Sequence, residues 1–338
     1  MDKNPEIGSS VTPGREWPSP RVVYSSQYNI GFFGVERLHP FDSRKYGRAW
    51  KELRRRFGRK LDAHWIRPGR PASREELLGV HTPEYLRKLK RSSFVAGVLE
   101  VPPLRFLAGW TVDYCVLRPM RWATRGTIIA AEAALEFGLG VNLAGGYHHA
   151  SPDDGHGFSA YADVAVAIQA LRKSGRLTAE DKILYVDLDA HQGNGVCRCF
   201  FGDKRVFIYD QYNQHIFPMD VKAQRRIDCD VPVSGGCGEA DYLSALRTRL
   251  PRFAEAVTRG GGVRLAVYNA GTDVFSGDQL GGLNVSASGV LERDKCVLEE
   301  LVGRGIPTVV VLSGGYSRES YRLVTEMVAF VLERWDRQ

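Results

Sequence analysis

No stretch of this sequence approaches the roughly 20 consecutive apolar residues a membrane-spanning helix needs, and its opening, MDKNPEIGSS, lacks the basic-then-apolar pattern of a secretory signal. Those two absences set the expectation of a cytoplasmic protein, or a nuclear one if the source is eukaryotic. Cysteine is sparse: Cys115, Cys197, Cys199, Cys229, Cys237 and Cys296 contain no Cys-x-x-Cys pair. A disulfide framework is not expected in a chain this long, and Cys197-x-Cys199 without a second pair reads as ordinary buried thiols. Internal repeats and long linkers are also missing. A basic cluster, Arg54, Arg55, Arg56, Arg59 and Lys60 with Arg67, Arg70 and Arg74 beyond it, has no zinc finger, stacking-aromatic or helix-turn-helix pattern beside it. With a net charge of only +7, it reads as a solvated helix face rather than a nucleic-acid footprint.

What is present is a chain of 338 residues, 43% hydrophobic, long enough to bury a large core. Pro5, Pro13, Pro18 and Pro20 among Gly and Ser mark residues 1–20 as a flexible leader, leaving 21–338 as the folded domain. Arg21–Tyr24 reads as a first strand, Ser43 as the cap of a basic helix ending near Phe57, and Pro83 as the start of a short helix. Thr127–Phe137 is expected to be a helix stopped by Gly138. Strand and helix patterns then alternate: strands at Val141–Leu143, Lys182–Leu188, Val206–Tyr209, Leu265–Asn269 and Thr308–Leu312, with helices at Ala162–Lys173, Ala240–Thr258, Val290–Val302 and Ser320–Arg334. Short apolar strands alternating with helices predict a mainly parallel sheet covered on both faces.

In such a sheet ligands bind beyond the carboxyl ends of the strands. The segments found there are GGYHHASPDDGHGF, DAHQGNG, DQYNQH, AGTDVFSGDQLGG and SGGYS. The richest is YVDLDAHQGNG, Tyr185 to Gly195, where Asp187, Asp189 and His191 fall at every second position and share one face of extended backbone. Two carboxylates and an imidazole packed together would repel and desolvate one another without a cation between them, and a mixed oxygen and nitrogen set suits zinc. A catalytic zinc usually keeps three protein ligands. Asp189 and His191 therefore need a partner, for which Asp273 is the candidate and Asp278 the alternative. His148 and His149 follow two glycines and suit water activation beside a metal. Tyr316, also after two glycines, would supply an oxyanion donor. Taken singly, each carboxylate could be a turn cap, the histidines a surface pair and Tyr316 a half-buried core side chain; their shared position at one sheet edge favours the catalytic reading.

LHPFDS (Leu38 to Ser43), HTPEYL, GGYHHASPDDGHGF, VDLDAHQGNG, NAGTDVFSGDQLGG and SGGYS together resemble the zinc-dependent histone deacetylases, and DAHQGNG with GDQLGGL is similar to class IV of that family. The likeness runs from about Arg21 to the C-terminus. It implies a single-domain three-layer α/β fold of the arginase and deacetylase type, and an amidohydrolase that removes acetyl or longer acyl groups from acylated lysine of a protein or peptide by metal-activated water. It implies zinc ligands Asp189, His191 and Asp273, His149 as general base and acid, His148 as its electrostatic neighbour paired with Asp187, and Tyr316 as oxyanion donor. Gly157 and Phe158 match the wall of the acyl-lysine channel. A structural K⁺ or Na⁺ is implied around Asp187, Asp189, His191, Asp210 and Gln211. Asn194 stands where many members carry aspartate behind the second histidine, as class IV members do. Class IV likeness also implies a preference for long fatty acyl groups, for which the apolar segments Val101–Leu107 and Ile216–Pro218 offer surface.

Three other readings bear on these residues. An arginase-like enzyme would place a second metal-binding aspartate where this chain has Gly193. An acetylpolyamine amidohydrolase would share the single-metal site, and a non-catalytic acyl-lysine-binding module would keep the pocket alone.

Overall fold

The computed structural model describes residues 18–31, 42 and 44–335. Eight parallel strands form one sheet: β1 (Arg21–Val23), β2 (Trp65–Ile66), β3 (Leu139–Asn142), β4 (Lys182–Asp187), β5 (Val206–Asn213), β6 (Cys229–Val233), β7 (Val263–Asn269) and β8 (Thr308–Val311). Their order across the sheet is β2-β1-β3-β8-β7-β4-β5-β6. Because every pairing is parallel, all the carboxyl ends lie along one edge. This is the expected α/β architecture, with helices on both faces.

The strands are continuously apolar because both faces are buried. Successive residues of β4 go to opposite cores: Ile183 and Tyr185 to one, Leu184 and Val186 to the other. In β8, Val309 and Val311 likewise oppose Val310 and Leu312 just beyond it. The first face is covered by Arg118–Phe137 and Asp163–Lys173, the second by Lys45–Phe57, Glu239–Thr258, Ala287–Gly303 and Ser320–Trp335. Arg118–Phe137 lies so close to β3 that a Cβ on Gly140 would stand 2.0 Å from the Ala130 carbonyl oxygen. The alanines of TIIAAEAALEF serve that close approach.

Several boundaries differ from the sequence reading. The helix expected from Thr127 begins at Arg118, because Pro119 fits a first turn and did not need to end one. β5 continues to Asn213, so Asp210 and Gln211 lie within the strand instead of after it; their buried polar side chains hid the continuation. β2 is only two residues long and β6 is an edge strand containing Pro232, a tolerated place for proline, and neither carries an apolar run that would mark it. Ser43 and most of LHPFDS lie outside the described residues, as do residues 1–17 of the expected leader. At the end of that leader, the Ser19 amide donates to the Phe137 carbonyl at 2.7 Å.

Candidate functional site

Four neighbouring strands, β3, β8, β7 and β4, send their following loops to one place. β4 ends at Asp187, which is fully buried. Its Oδ1 accepts from Asn269 Nδ2 at 2.8 Å and from the Asp189 amide at 3.2 Å, while Oδ2 takes the Tyr185 hydroxyl at 2.7 Å and His148 Nδ1 at 2.9 Å. Asp187 is thus fully engaged in holding the loop and the first histidine.

The next two alternate positions turn to a buried cluster that could hold a metal ion. One ligand atom from each of Asp189, His191 and Asp273 lies within 4.8 Å of the others, and all three side chains are buried. His191 Nδ1 stands 3.0 Å from Asp189 Oδ1 and 2.9 Å from Asp273 Oδ2. Their remaining oxygens are committed: Asp189 Oδ2 accepts from the Gly314 amide at 2.8 Å, and Asp273 Oδ1 from the Ala190 amide at 2.8 Å. Only glycine fits at 314, since a Cβ there would sit 2.3 Å from Asp273 Oδ2 and 2.6 Å from Asp189 Oδ2.

The charges in this cluster are unbalanced without a cation. Burial and then the neighbouring Asp189 charge push the Asp273 carboxyl up to about 7, even though His191 opposes the shift. Burial disfavours charge on His191 as well, but hydrogen bonds and charge from both aspartates outweigh it and raise the imidazole to about 10. Two buried carboxylates this close cannot both ionise against a single imidazolium. A divalent ion resolves the conflict, and the oxygen and nitrogen donor set fits zinc. Asp278, the alternative ligand, is used elsewhere: its oxygens accept the amides of Tyr316 at 2.6 Å, Leu280 at 2.9 Å and Gly281 at 3.2 Å.

His148 and His149 lie with ring centroids 4.0 Å apart, in opposite environments. Burial lowers both. For His148, the Asp187 and Asp189 charges and the Asp187 hydrogen bond reverse the effect and raise the ring to about 9. For His149, the neighbouring His148 and His191 add to burial and hold it well below the usual imidazole value. His149 Nδ1 faces Asn194 Oδ1 at 2.8 Å. An amide oxygen there calls for a proton on Nδ1, which leaves Nε2 as the basic atom. Asn194→Asp would place an anion against that ring and favour imidazolium, so the His149 pKa would rise and less neutral base would remain at a given acidic pH. The acidic limb of the kcat/KM profile should move to higher pH, and a limb that stays or moves down would break the contact between this pair and catalysis.

Tyr316 is 7% exposed and its ring lies 6.0 Å from that of His191 and 5.7 Å from that of Phe158. Burial, then the Asp189 and Asp273 charges, keep its phenol protonated. Gly157 has φ +50°, and a Cβ on it would meet His149 Cδ2 at 2.5 Å. The turn at Gly157 therefore carries Phe158 over the site. Opposite, Phe217 packs edge-on against His149 at 5.0 Å. Phe158 lines a narrow cavity together with His148, His149, Gly314 and Tyr316.

The side chains expected around a monovalent cation are not equally open to one: Asp187 has both oxygens engaged, and Asp210 does not. Asp187 and Asp210 are partners in β-sheet register. Asp210 Oδ2 accepts from the Gly193 amide at 2.9 Å, while its buried Oδ1 has no hydrogen-bond partner. Burial and then the Asp187 charge push the Asp210 carboxyl well up, a strain that a cation would relieve. Gln211 cannot offer its side chain, because Nε2 donates to the Tyr242 carbonyl at 2.9 Å and Oε1 accepts from the Tyr209 hydroxyl at 2.8 Å.

Three contributors escaped the sequence reading. Lys45, fully buried, sends Nζ to the carbonyls of Ser313 at 2.8 Å and Gly314 at 2.9 Å. Burial brings it down to about 8 against the Asp273, Asp189 and Asp278 charges that hold it up, and it stood hidden in a basic helix pattern. Arg293, also fully buried, donates from Nη1 to the carbonyls of Leu188 at 3.1 Å and Gly271 at 2.5 Å, while Nε and Nη2 pair with Asp294 Oδ1. It ties together the backbone leading into Asp189 and Asp273, yet in sequence it is one charge on a helix. Phe217 was weighed only as groove surface.

A sequence model described as the histone deacetylase domain matches residues 39–332. Histone deacetylase 2 of Arabidopsis thaliana is 40% identical over 307 residues, covering 91% of this chain and 77% of that protein. Histone deacetylase RPD3 of Saccharomyces cerevisiae is 27% identical, covering 88% and 68%. Among solved structures, the HDA15 HD domain superposes with a TM-score of 0.73 at 21% identity, covering 94% of this chain and 88% of that one. A histone deacetylase homologue from Aquifex aeolicus gives 0.69 at 24%, covering 94% and 85%. At those identities the structural matches speak for the fold alone.

Proposed function

We propose that this chain, which belongs to the histone deacetylase family, is a zinc-dependent hydrolase that removes acyl groups from the side-chain amine of acylated lysine in a protein or peptide. The observation that carries the reading is the buried Asp189, His191 and Asp273 cluster lying beside two histidines of opposite basicity and a protonated tyrosine. Zinc held by those three residues would supply Lewis acidity, acidifying water and polarising a carbonyl.

The chain's own residues do the rest. Phe158 and Phe217 hold the aliphatic stem of the lysine and exclude water from the cavity. His149 Nε2 takes a proton as water adds to the amide carbon, with Asn194 fixing the ring through Nδ1. The Tyr316 hydroxyl donates to the oxygen on which charge develops. As the carbon–nitrogen bond breaks, His149 returns its proton to the departing amine, and lysine and a carboxylate remain. His148, kept cationic by Asp187, adds positive charge beside the developing anion. A monovalent cation at the open Asp210 Oδ1 would stiffen the β4 and β5 ends beneath the metal loop. An acetylpolyamine substrate would use the same machinery; a module that only binds acyl-lysine would have no use for the complete set.

We further propose that long acyl chains are preferred. The two apolar segments contribute unequally: Leu104 is buried in the core and Phe106 points to solvent at 78% exposure, whereas Phe217 packs on His149, with Met219 exposed beyond it. A groove along Phe217 and Met219 would cover methylenes worth about 0.8 kcal/mol each, roughly fourfold in affinity. Turnover is measured on one lysine peptide carrying acetyl, octanoyl or myristoyl, with the protein zinc-loaded and metal-stripped. The expected kcat/KM rises with chain length and vanishes on stripping. A value highest for acetyl removes the long-chain preference, and turnover that survives stripping removes the metal.

A further inference from the structure

Between Pro102 and Leu117 the chain carries large side chains that the core does not take up. Phe106, Trp110 and Tyr114 are 78%, 75% and 63% exposed, more than any other aromatic among the described residues. They recur every fourth residue through the consecutive turns Pro102–Phe106, Gly109–Val112 and Asp113–Leu117. Leu104, Val112, Val116 and Leu117 point the other way, into the core. The segment is therefore anchored by its aliphatic face and presents an aromatic stripe to water.

Cations frame the stripe. The Arg105 guanidinium lies 4.7 Å from the centre of the Phe106 ring, and that of Arg118 lies 5.4 Å from the Tyr114 ring. Lys90 and Arg91 belong to the turn packed alongside: a Cβ on Gly109 would stand 2.7 Å from the Lys90 carbonyl oxygen, and Ser92 Oγ donates to the Leu107 carbonyl at 2.7 Å. Of the acidic groups nearby, Glu84 pairs with Arg87 and Asp113 with Arg121, which leaves the exposed Glu100 against the four cations Lys90, Arg91, Arg105 and Arg118. Positive charge and aromatic surface thus coincide.

We propose that this surface is a peripheral binding site for an anionic lipid membrane, with Phe106, Trp110 and Tyr114 entering the headgroup layer and Lys90, Arg91, Arg105 and Arg118 meeting the lipid phosphates. Aromatic rings favour that layer, and basic side chains are drawn to its surface potential. Neither signal alone holds a protein firmly; the two together do. A second copy of this chain fits poorly, because a two-fold contact would set the same four cations against one another. Single-stranded nucleic acid needs open ring faces for stacking, and those of Phe106 and Tyr114 carry arginines. The helix before this segment is tied to the catalytic half of the fold, since the Phe158 amide donates to the Val98 carbonyl at 3.2 Å. Lipid binding does not depend on the function proposed above.

The test is co-sedimentation of the full chain with vesicles of phosphatidylcholine and phosphatidylserine in a ratio of roughly 7:3, against phosphatidylcholine alone. The protein should pellet with the anionic vesicles and not with the neutral ones. Trp110→Ser with Tyr114→Ser should weaken binding by at least ~tenfold, and Lys90→Glu with Arg91→Glu should abolish the anionic preference. Circular dichroism and turnover on a soluble acyl-lysine peptide should stay unchanged for the Trp110 and Tyr114 pair, whose side chains project from the surface. Absence of pelleting by the parent protein, or variants that bind equally well, would overturn the site. So would a dimer, or an oligonucleotide complex, lost with the same serine substitutions.

Discussion

Asp273→Asn should lose its zinc and at least ~10³-fold in turnover while keeping its fold. The amide retains an oxygen for the Ala190 amide, which Asp273 Oδ1 now accepts at 2.8 Å, so the loop after β7 keeps its hydrogen bond. What disappears is one of two anionic ligands in the Asp189, His191 and Asp273 cluster. The magnitude follows from what the ion supplies: a single oxyanion donor is worth roughly 10²–10³ in rate, and Lewis acidity together with acidified water exceeds one donor. Stability should move differently. In the metal-free protein, Asp273 is buried against Asp189 with its pKa pushed up to about 7, and neutralising it removes a repulsion, so the stripped variant should be at least as stable as the stripped parent. Adding zinc at a hundred times its dissociation constant should stabilise the parent by about 2.7 kcal/mol through mass action, and the variant hardly at all. Metal analysis and thermal melts with and without zinc separate the two effects. A variant with full turnover and bound zinc would remove Asp273 from the ligand set.

The contrast between Asp273 and Arg293 explains how much the sequence disclosed. The gathering of Asp189, His191, Asp273, the histidine pair and Tyr316 at one place was legible because parallel strands put their carboxyl ends on one edge, and those ends carry ligand-type residues flanked by glycine. The sheet was legible because β4, β7 and β8 are apolar on both faces. Alternate-residue spacing did mislead in one respect: Asp187 shares its face with Asp189 and His191, yet its oxygens are taken by Asn269, Tyr185, His148 and the Asp189 amide. Which carboxylate is a ligand and which is a brace depends on donors arriving from other strands. Lys45 and Arg293 reach the site from helices at opposite ends of the chain, and a buried cation on a helix has the same local pattern as a solvated one. Their partners are backbone carbonyls of Ser313, Gly314, Leu188 and Gly271, groups that every residue carries and that leave no mark in a sequence. The edge strands β2 and β6 were missed for a related reason, since an edge needs less apolar surface than a centre.

Tyr316→Phe should lower kcat by roughly 10²–10³, about 2.7–4 kcal/mol of transition-state stabilisation, with KM changed far less. The substitution takes one hydroxyl and nothing else from the fold. The Tyr316 amide still donates to Asp278 Oδ2 at 2.6 Å, and the ring keeps its neighbours Phe158 at 5.7 Å and His191 at 6.0 Å. The hydroxyl is in the right state to donate, because burial and the Asp189 and Asp273 charges all oppose phenolate. Burial also makes an unassisted oxyanion costly here, because water cannot solvate the charge that develops on the substrate. A donor whose hydrogen bond strengthens as that charge appears acts on the transition state more than on the bound substrate, which is why the effect should fall on kcat. The pH profile provides a second check. Since Tyr316 stays protonated over the working range, its loss should scale the whole profile down without moving the acidic limb, which belongs to His149. Unchanged kcat with a raised KM would make Tyr316 a substrate-binding residue, and a displaced acidic limb would mean that the phenol takes part in the proton transfer assigned to His149.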